Sequence, residues 1–123
     1  MCIDGAGGEV ARDLEKSADR IGGEAGDMLY AQVVWGLHNY GSPTNVIKEN
    51  SLSWERTDRG FEAILKKFPD SLPAKNEAAH LASLACDQAK AQKYFLLTKG
   101  QVDLGQWSSK DRFIICYKWA LGL

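Results

Sequence analysis

Residues 78–98 read Ala-Ala-His-Leu-Ala-Ser-Leu-Ala-Cys-Asp-Gln-Ala-Lys-Ala-Gln-Lys-Tyr-Phe-Leu-Leu-Thr, and no other stretch constrains the fold as much. Small residues at Ala79 and Ala82 come before a Cys86-Asp87 corner, and Ala91 and Phe95 come after it. Helices approach closely only where their facing side chains are small. The pattern therefore predicts two helices packed through alanines, with an aromatic wedge on the second. Ala79, Ala82, Ala85, Ala91 and Phe95 are the expected contact. Asp87 is the expected N-cap, accepting from backbone N–H groups around Lys90. The stretch speaks to shape and says almost nothing about chemistry.

The remaining segments extend the helical reading. From Glu9 to Ile21, Val10, Leu14, Ala18 and Ile21 share one stripe, and Gly22-Gly23 stops the helix. Met28 to Tyr40 is apolar nearly all round, which predicts a helix buried on several sides. Gly41-Ser42-Pro43 ends it, and a loop is expected to about Leu52. Ser53 can cap a helix from Trp54 to Phe68. Its dry side is Trp54, Thr57, Phe61, Ile64, Leu65 and Phe68; its wet side is Glu55, Arg56, Arg59, Glu62 and Lys66. After Pro69-Asp70, Ser71 or Leu72 opens a helix to about Ala85, with Pro73 in its first turn. The next helix runs from about Gln88 to Lys99 and is closed by Gly100. A link through Val102, Leu104 and Trp107 leads to a last helix, capped by Ser108 or Ser109. Its apolar side is Phe113, Ile114, Cys116, Tyr117, Ala120 and Leu121.

The expected fold is all-α, about six helices in stacked, tetratricopeptide-like hairpins. Residues 1–8 form a flexible lead-in and residues 9–123 a single α-helical domain. Phe61 and Phe95 lie 34 residues apart, the tetratricopeptide period, and Thr57 and Ala91 share that offset.

Composition narrows the function. The 123 residues carry 15 basic and 16 acidic side chains, and the largest basic cluster is Lys66-Lys67, so nucleic acid is not an expected partner. No apolar run of about 18 residues exists, so a membrane is not expected either. The opening Met1-Cys2-Ile3-Asp4-Gly5 lacks the charged start and apolar stretch of a signal peptide. Three irregularly spaced cysteines suit reduced thiols, and the expected compartment is the cytoplasm.

Candidate chemistry is sparse. His38 and His80 are the histidines, and Glu77 lies three residues before His80, a spacing that suits a helical ion pair. Cys2, His38, His80, Cys86 and Cys116 show no metal-ligand spacing, so no metal is expected. Gly5-Ala6-Gly7-Gly8 is not a phosphate loop, because no strand precedes it and no Lys-Ser/Thr follows, and no cofactor is expected. Cys86 and Cys116 read as small buried hydrophobes; Cys86 also precedes a helix, the one setting here that could activate a thiol. No catalytic residue can be named. Tyr30, Trp35, Tyr40, Trp54 and Trp107 sit where helices begin, end or turn, where aromatics anchor hairpins or line a groove.

Several motifs fall in a familiar order: Leu29-Tyr30-Ala31-Gln32-Val33-Val34-Trp35, Asn39-Tyr40-Gly41, Ser53-Trp54, Arg59-Gly60-Phe61, Phe68-Pro69-Asp70-Ser71 with Asn76, Leu81-Ala82-Ser83-Leu84-Ala85-Cys86-Asp87, and Trp107. From about residue 10 to 119 the chain resembles an uncharacterised bacterial family of helical, tetratricopeptide-like domains with YARVYW and FARFACLAGD motifs. It is shorter and looks like the C-terminal half of a typical member. An Asn-rich opening is reduced to Asn76, and the Gly before Asp87 is missing, which suggests a tighter corner. The resemblance implies the fold and carries no activity across.

The function expected on these grounds is a non-enzymatic module that binds a protein or peptide, with Tyr30, Trp35, His38, Trp54, His80 and Trp107 as candidate interaction residues. The alternative is a small-molecule or enzymatic pocket around Trp35, His38 and His80. The last helix carries more apolar residues than one stripe can hide, which makes Ile115 and Trp119 a candidate interface for a homodimer or another protein.

Overall fold

The computed structural model describes residues 4–40, 45–107 and 109–123, and every regular element among them is helical. The helices are α1 (Asp4–Ile21), α2 (Gly23–Tyr40), α3 (Val46–Glu49), α4 (Trp54–Lys67), α5 (Leu72–Leu84), α6 (Gln88–Thr98) and α7 (Lys110–Leu121), with a 3-10 turn at Leu104–Gln106. The expected stop at Gly41-Ser42-Pro43, the alternative cap Ser108, and Cys2 lie outside the described residues. The chain divides into two compact units, 1–67 and 68–123.

In the first unit α2 packs on both α1 and α4. Helix α1 begins at Asp4, inside the segment expected to be a loose lead-in. Glycine lowers helix propensity without forbidding helix, and an amphipathic helix already formed downstream can propagate through it. Its buried side is Ala11, Leu14 and Ala18 rather than the longer stripe expected, since Val10 and Ile21 are exposed. Gly22 and Gly23 stop the helix as expected, both with positive φ (78° and 58°). Tyr30, Ala31 and Val34 form the buried face of α2, and Thr57, Phe61, Ala63 and Ile64 that of α4. Two glycines set the spacing. A β-carbon at Gly60 would collide with the Asp27 carbonyl oxygen and the Ala31 methyl, and one at Gly26 with the Ala18 carbonyl oxygen. Within the stretch expected to be loop, Val46 and Ile47 fold into the short α3 and are buried, with Asn45 accepting from the Lys48 N–H.

Arg56 corrects the expected wet side of α4. Its side chain is only 12% exposed and binds Glu15 and Asp19 of α1 at 2.7 Å and Asp27 of α2 at 3.0 Å. The guanidinium also lies 5.4 Å from the centre of the Tyr30 ring. One planar fork thus ties three helices together, a geometry that Lys could not reproduce. Phe68, expected on the dry side, is exposed.

In the second unit α5 and α6 form the alanine-packed hairpin, and α7 packs on α6 and more lightly on α5. Ser71 caps α5 by accepting from the Ala74 N–H at 3.3 Å, with Pro73 in the first turn. Ala79, Ala82, Ala91 and Phe95 are fully buried, as the small-residue pattern requires. Ala85 is half-buried instead, because it is the C-cap of α5 and has already left the helix face. The corner is a Schellman cap: Cys86 N–H donates to the Ser83 carbonyl and Asp87 N–H to the Ala82 carbonyl, each at 3.0 Å. Cys86 holds the left-handed position (φ 58°) where glycine usually stands, and its side chain is exposed, not buried as expected. Asp87 caps α6, accepting from the Lys90 N–H at 3.1 Å. Phe61 and Phe95 are both fully buried, yet α4 pairs with α2 across an intervening helix, whereas α6 pairs with its neighbour α5.

Candidate interaction surface

Among the described residues, the second unit holds a polar cluster inside and an apolar face on its outer side. The polar cluster is built on Asn76, fully buried in α5. Its Nδ2 donates to the carbonyls of Leu72 (3.0 Å) and Gln101 (3.3 Å). Its Oδ1 accepts from the Asp103 N–H (3.3 Å) and the Trp107 indole N–H (2.8 Å). That is two donors and two acceptor sites, the full capacity of an asparagine side chain. One turn on, His80 Nδ1 lies 2.9 Å from the Gln106 carbonyl, which can only accept, so Nδ1 is the donor of this bond. The imidazole stacks flat on Trp107, with centroids 4.2 Å apart and planes within 7°. Trp107 in turn lies against Phe95 and Phe113, and Tyr117 completes the group. These contacts strap segment 101–107 onto α5.

Glu77, beside Asn76 on the same helix, is pushed up to about 7, first by burial and then by the nearby Asp103 carboxylate. Among the described residues no group of three or more His, Cys, Asp or Glu could hold a metal ion. Asn76 is thus fully satisfied, whereas the Gln106 side-chain oxygen is buried without a hydrogen-bond partner among the described residues.

The candidate interaction residues separate accordingly. Tyr30, His80 and Trp107 are interior: the Tyr30 hydroxyl accepts from the Ser53 N–H at 2.8 Å, and His80 and Trp107 bind each other and the strap. All three are at most 6% exposed and pack in the core. Trp35 and His38 meet in the first unit with ring centroids 5.2 Å apart, both half-buried, and Trp54 is half-buried at the start of α4. His80 belongs to the second unit, covered by Trp107. A depression of about 350 Å³ in the first unit is lined by Glu24, Asp27, Arg59, Glu62, Ala63 and Lys66. Its charges are largely matched internally, Lys66 with Glu24 and Arg59 with Asp27.

The apolar face is the outer side of α7. Phe113 and Ala120 point inward and are buried, with Tyr117 beside them. At 100° per residue, Ile115 and Trp119 fall on the opposite side of the helix. Ile115 is 65% exposed and Trp119 39%, and Ile114 beside them is 38%. Ser109 fixes the start of this helix by accepting from the Arg112 N–H at 3.1 Å. Gly122 (φ 73°) ends it, with the Leu123 N–H donating back to Lys118. Gln88 of α6 donates to the Trp119 carbonyl at 2.8 Å, which pins the C-terminal turn. The face is thus exposed, apolar and held on a capped helix. No helix among the described residues is long and apolar enough to cross a membrane. No protein-family model, no characterised protein and no solved structure matches this chain.

Proposed function

We propose that the chain is a non-enzymatic interaction module whose docking surface is the outer face of α7. The observation that carries this reading is the pairing of a 65% exposed Ile115 with a 39% exposed Trp119 one turn away on the same side of a firmly capped helix. Burying such side chains favours association by roughly 25 cal/mol for each Å² removed from water. A single exposed apolar residue is commonplace, but a contiguous group with a tryptophan in it marks a surface for another protein. Asn76, His80 and Trp107 use polar atoms to hold segment 101–107.

Site-specific photo-crosslinking in the source cell tests this. A photoreactive residue in place of Ile115 is expected to give discrete protein adducts, while one in place of exposed Gln92 on α6 gives none. Equal labelling from both positions, or no adduct from position 115, would overturn the reading.

A further inference from the structure

We infer that the occupant of the α7 face is a second copy of this chain, docked antiparallel across a two-fold axis. This rests on the docking reading above and adds the identity of the partner. In a two-fold contact each residue meets its mate twice, so the surface must be complementary to itself. The outer side of α7 carries Asp111, Ile115 and Lys118, spaced by four and three residues and therefore on one stripe. Asp111 and Lys118 are both exposed, and neither has an ion-pair partner among the described residues.

With the axis between Ile114 and Ile115, an antiparallel copy brings Lys118 opposite Asp111 and Asp111 opposite Lys118. Two ion pairs then bracket an apolar centre of Ile114 and Ile115, with Trp119 at its edge. A parallel copy would set Asp on Asp and Lys on Lys, so the charges select one orientation. An acid in the first turn and a base in the last also suit the helix dipole, and the test must separate that role from pairing. One helix of 12 residues buries less than a standard interface, so the dimer is weak and forms with rising concentration.

Sedimentation equilibrium of the whole chain, over a dilution series reaching about 1 mM, provides the test. The wild type is expected to pass from monomer to dimer. Asp111→Lys and Lys118→Asp should each weaken the dimer about tenfold or more, and the Asp111→Lys/Lys118→Asp double variant should recover most of it. The double variant opposes the helix dipole at both ends, so recovery cannot come from a more stable helix. Should the reversed charges unfold α7, as circular dichroism would show, Asp111→Asn and Lys118→Gln serve in their place and should weaken the dimer less. A wild type monomeric throughout, or a dimer indifferent to all these variants, would overturn the inference. A monomeric wild type whose position-115 crosslinks lead to a different protein would overturn the second copy alone and leave the docking reading standing.

Discussion

The indole N–H of Trp107 donates to the Asn76 side-chain oxygen at 2.8 Å, across 31 residues of sequence, and the two groups are buried together. Through that bond one asparagine on α5 holds the segment that leads into α7, and with it the position of the α7 face. Asn76→Ala would strand the Trp107 N–H and the Gln101 carbonyl in the interior. The expected cost is about 2–4 kcal/mol in chemical denaturation, against less than about 0.5 kcal/mol for exposed Asn39→Ala.

Gly60 and Gly36 make a matched pair. At Gly60 an added methyl meets the backbone of α2, whereas at Gly36 it meets nothing within 4 Å. Gly60→Ala should destabilise by about 1–3 kcal/mol through forced separation of α2 and α4. Gly36→Ala should stabilise by up to about 1 kcal/mol through helix propensity alone. Thermal melts of the two variants read the difference in sign.

Cys86 stands in the left-handed position of the α5 cap, where a β-carbon is disfavoured. Cys86→Gly should raise stability by about 0.5–1 kcal/mol, the relief of strain being partly offset by greater freedom of the unfolded chain. In the wild type a thiol reagent should label exposed Cys86 well before half-buried Cys116, whose thiol is pushed up mainly by burial.

Much of this fold was legible because its signals are local. Ser53, Ser71, Asp87 and Ser109 announce their helices by type and position, and each accepts the backbone N–H expected of a cap. The alanines of α5 and α6 likewise carry their packing role in their size. What escaped the sequence depends on partners distant along the chain. Arg56 looks like any surface arginine until carboxylates 41 and 37 residues earlier close on it. Asn76 looks like a turn or surface residue, and nothing nearby signals the link 25–31 residues later that it binds. Tyr30, His80 and Trp107 were read as possible binding residues for the same reason: a ring packs inward or outward depending on neighbours the local pattern does not name. Ile115 and Trp119 were legible as surplus, since one stripe of α7 already held Phe113, Tyr117 and Ala120.

Glu77 sets a pH dependence. Its carboxyl moves from an ordinary 4.5 to about 7 because the folded chain disfavours the charged form. The folded state thus holds this proton more tightly than the unfolded state. Its contribution is fully present below about 4.5 and is lost as pH rises through about 7. Glu77→Gln removes the titration, and at pH 8 it should be more stable than the wild type by about 1–2 kcal/mol, discounted for partial exposure. At pH 4 the two should melt alike. Equal stability at both pH values would contradict the assignment.

The most direct measurement of self-association through the α7 face is methyl NMR of the isoleucines as the concentration of the chain is raised. Ile114 and Ile115 lie on the outer side of α7, while Ile47 and Ile64 are buried in the first unit. The account predicts that the Ile114 and Ile115 methyl signals shift or broaden progressively while those of Ile47 and Ile64 stay fixed. Spectra unchanged across the whole series, or changes confined to exposed Ile21, would contradict it.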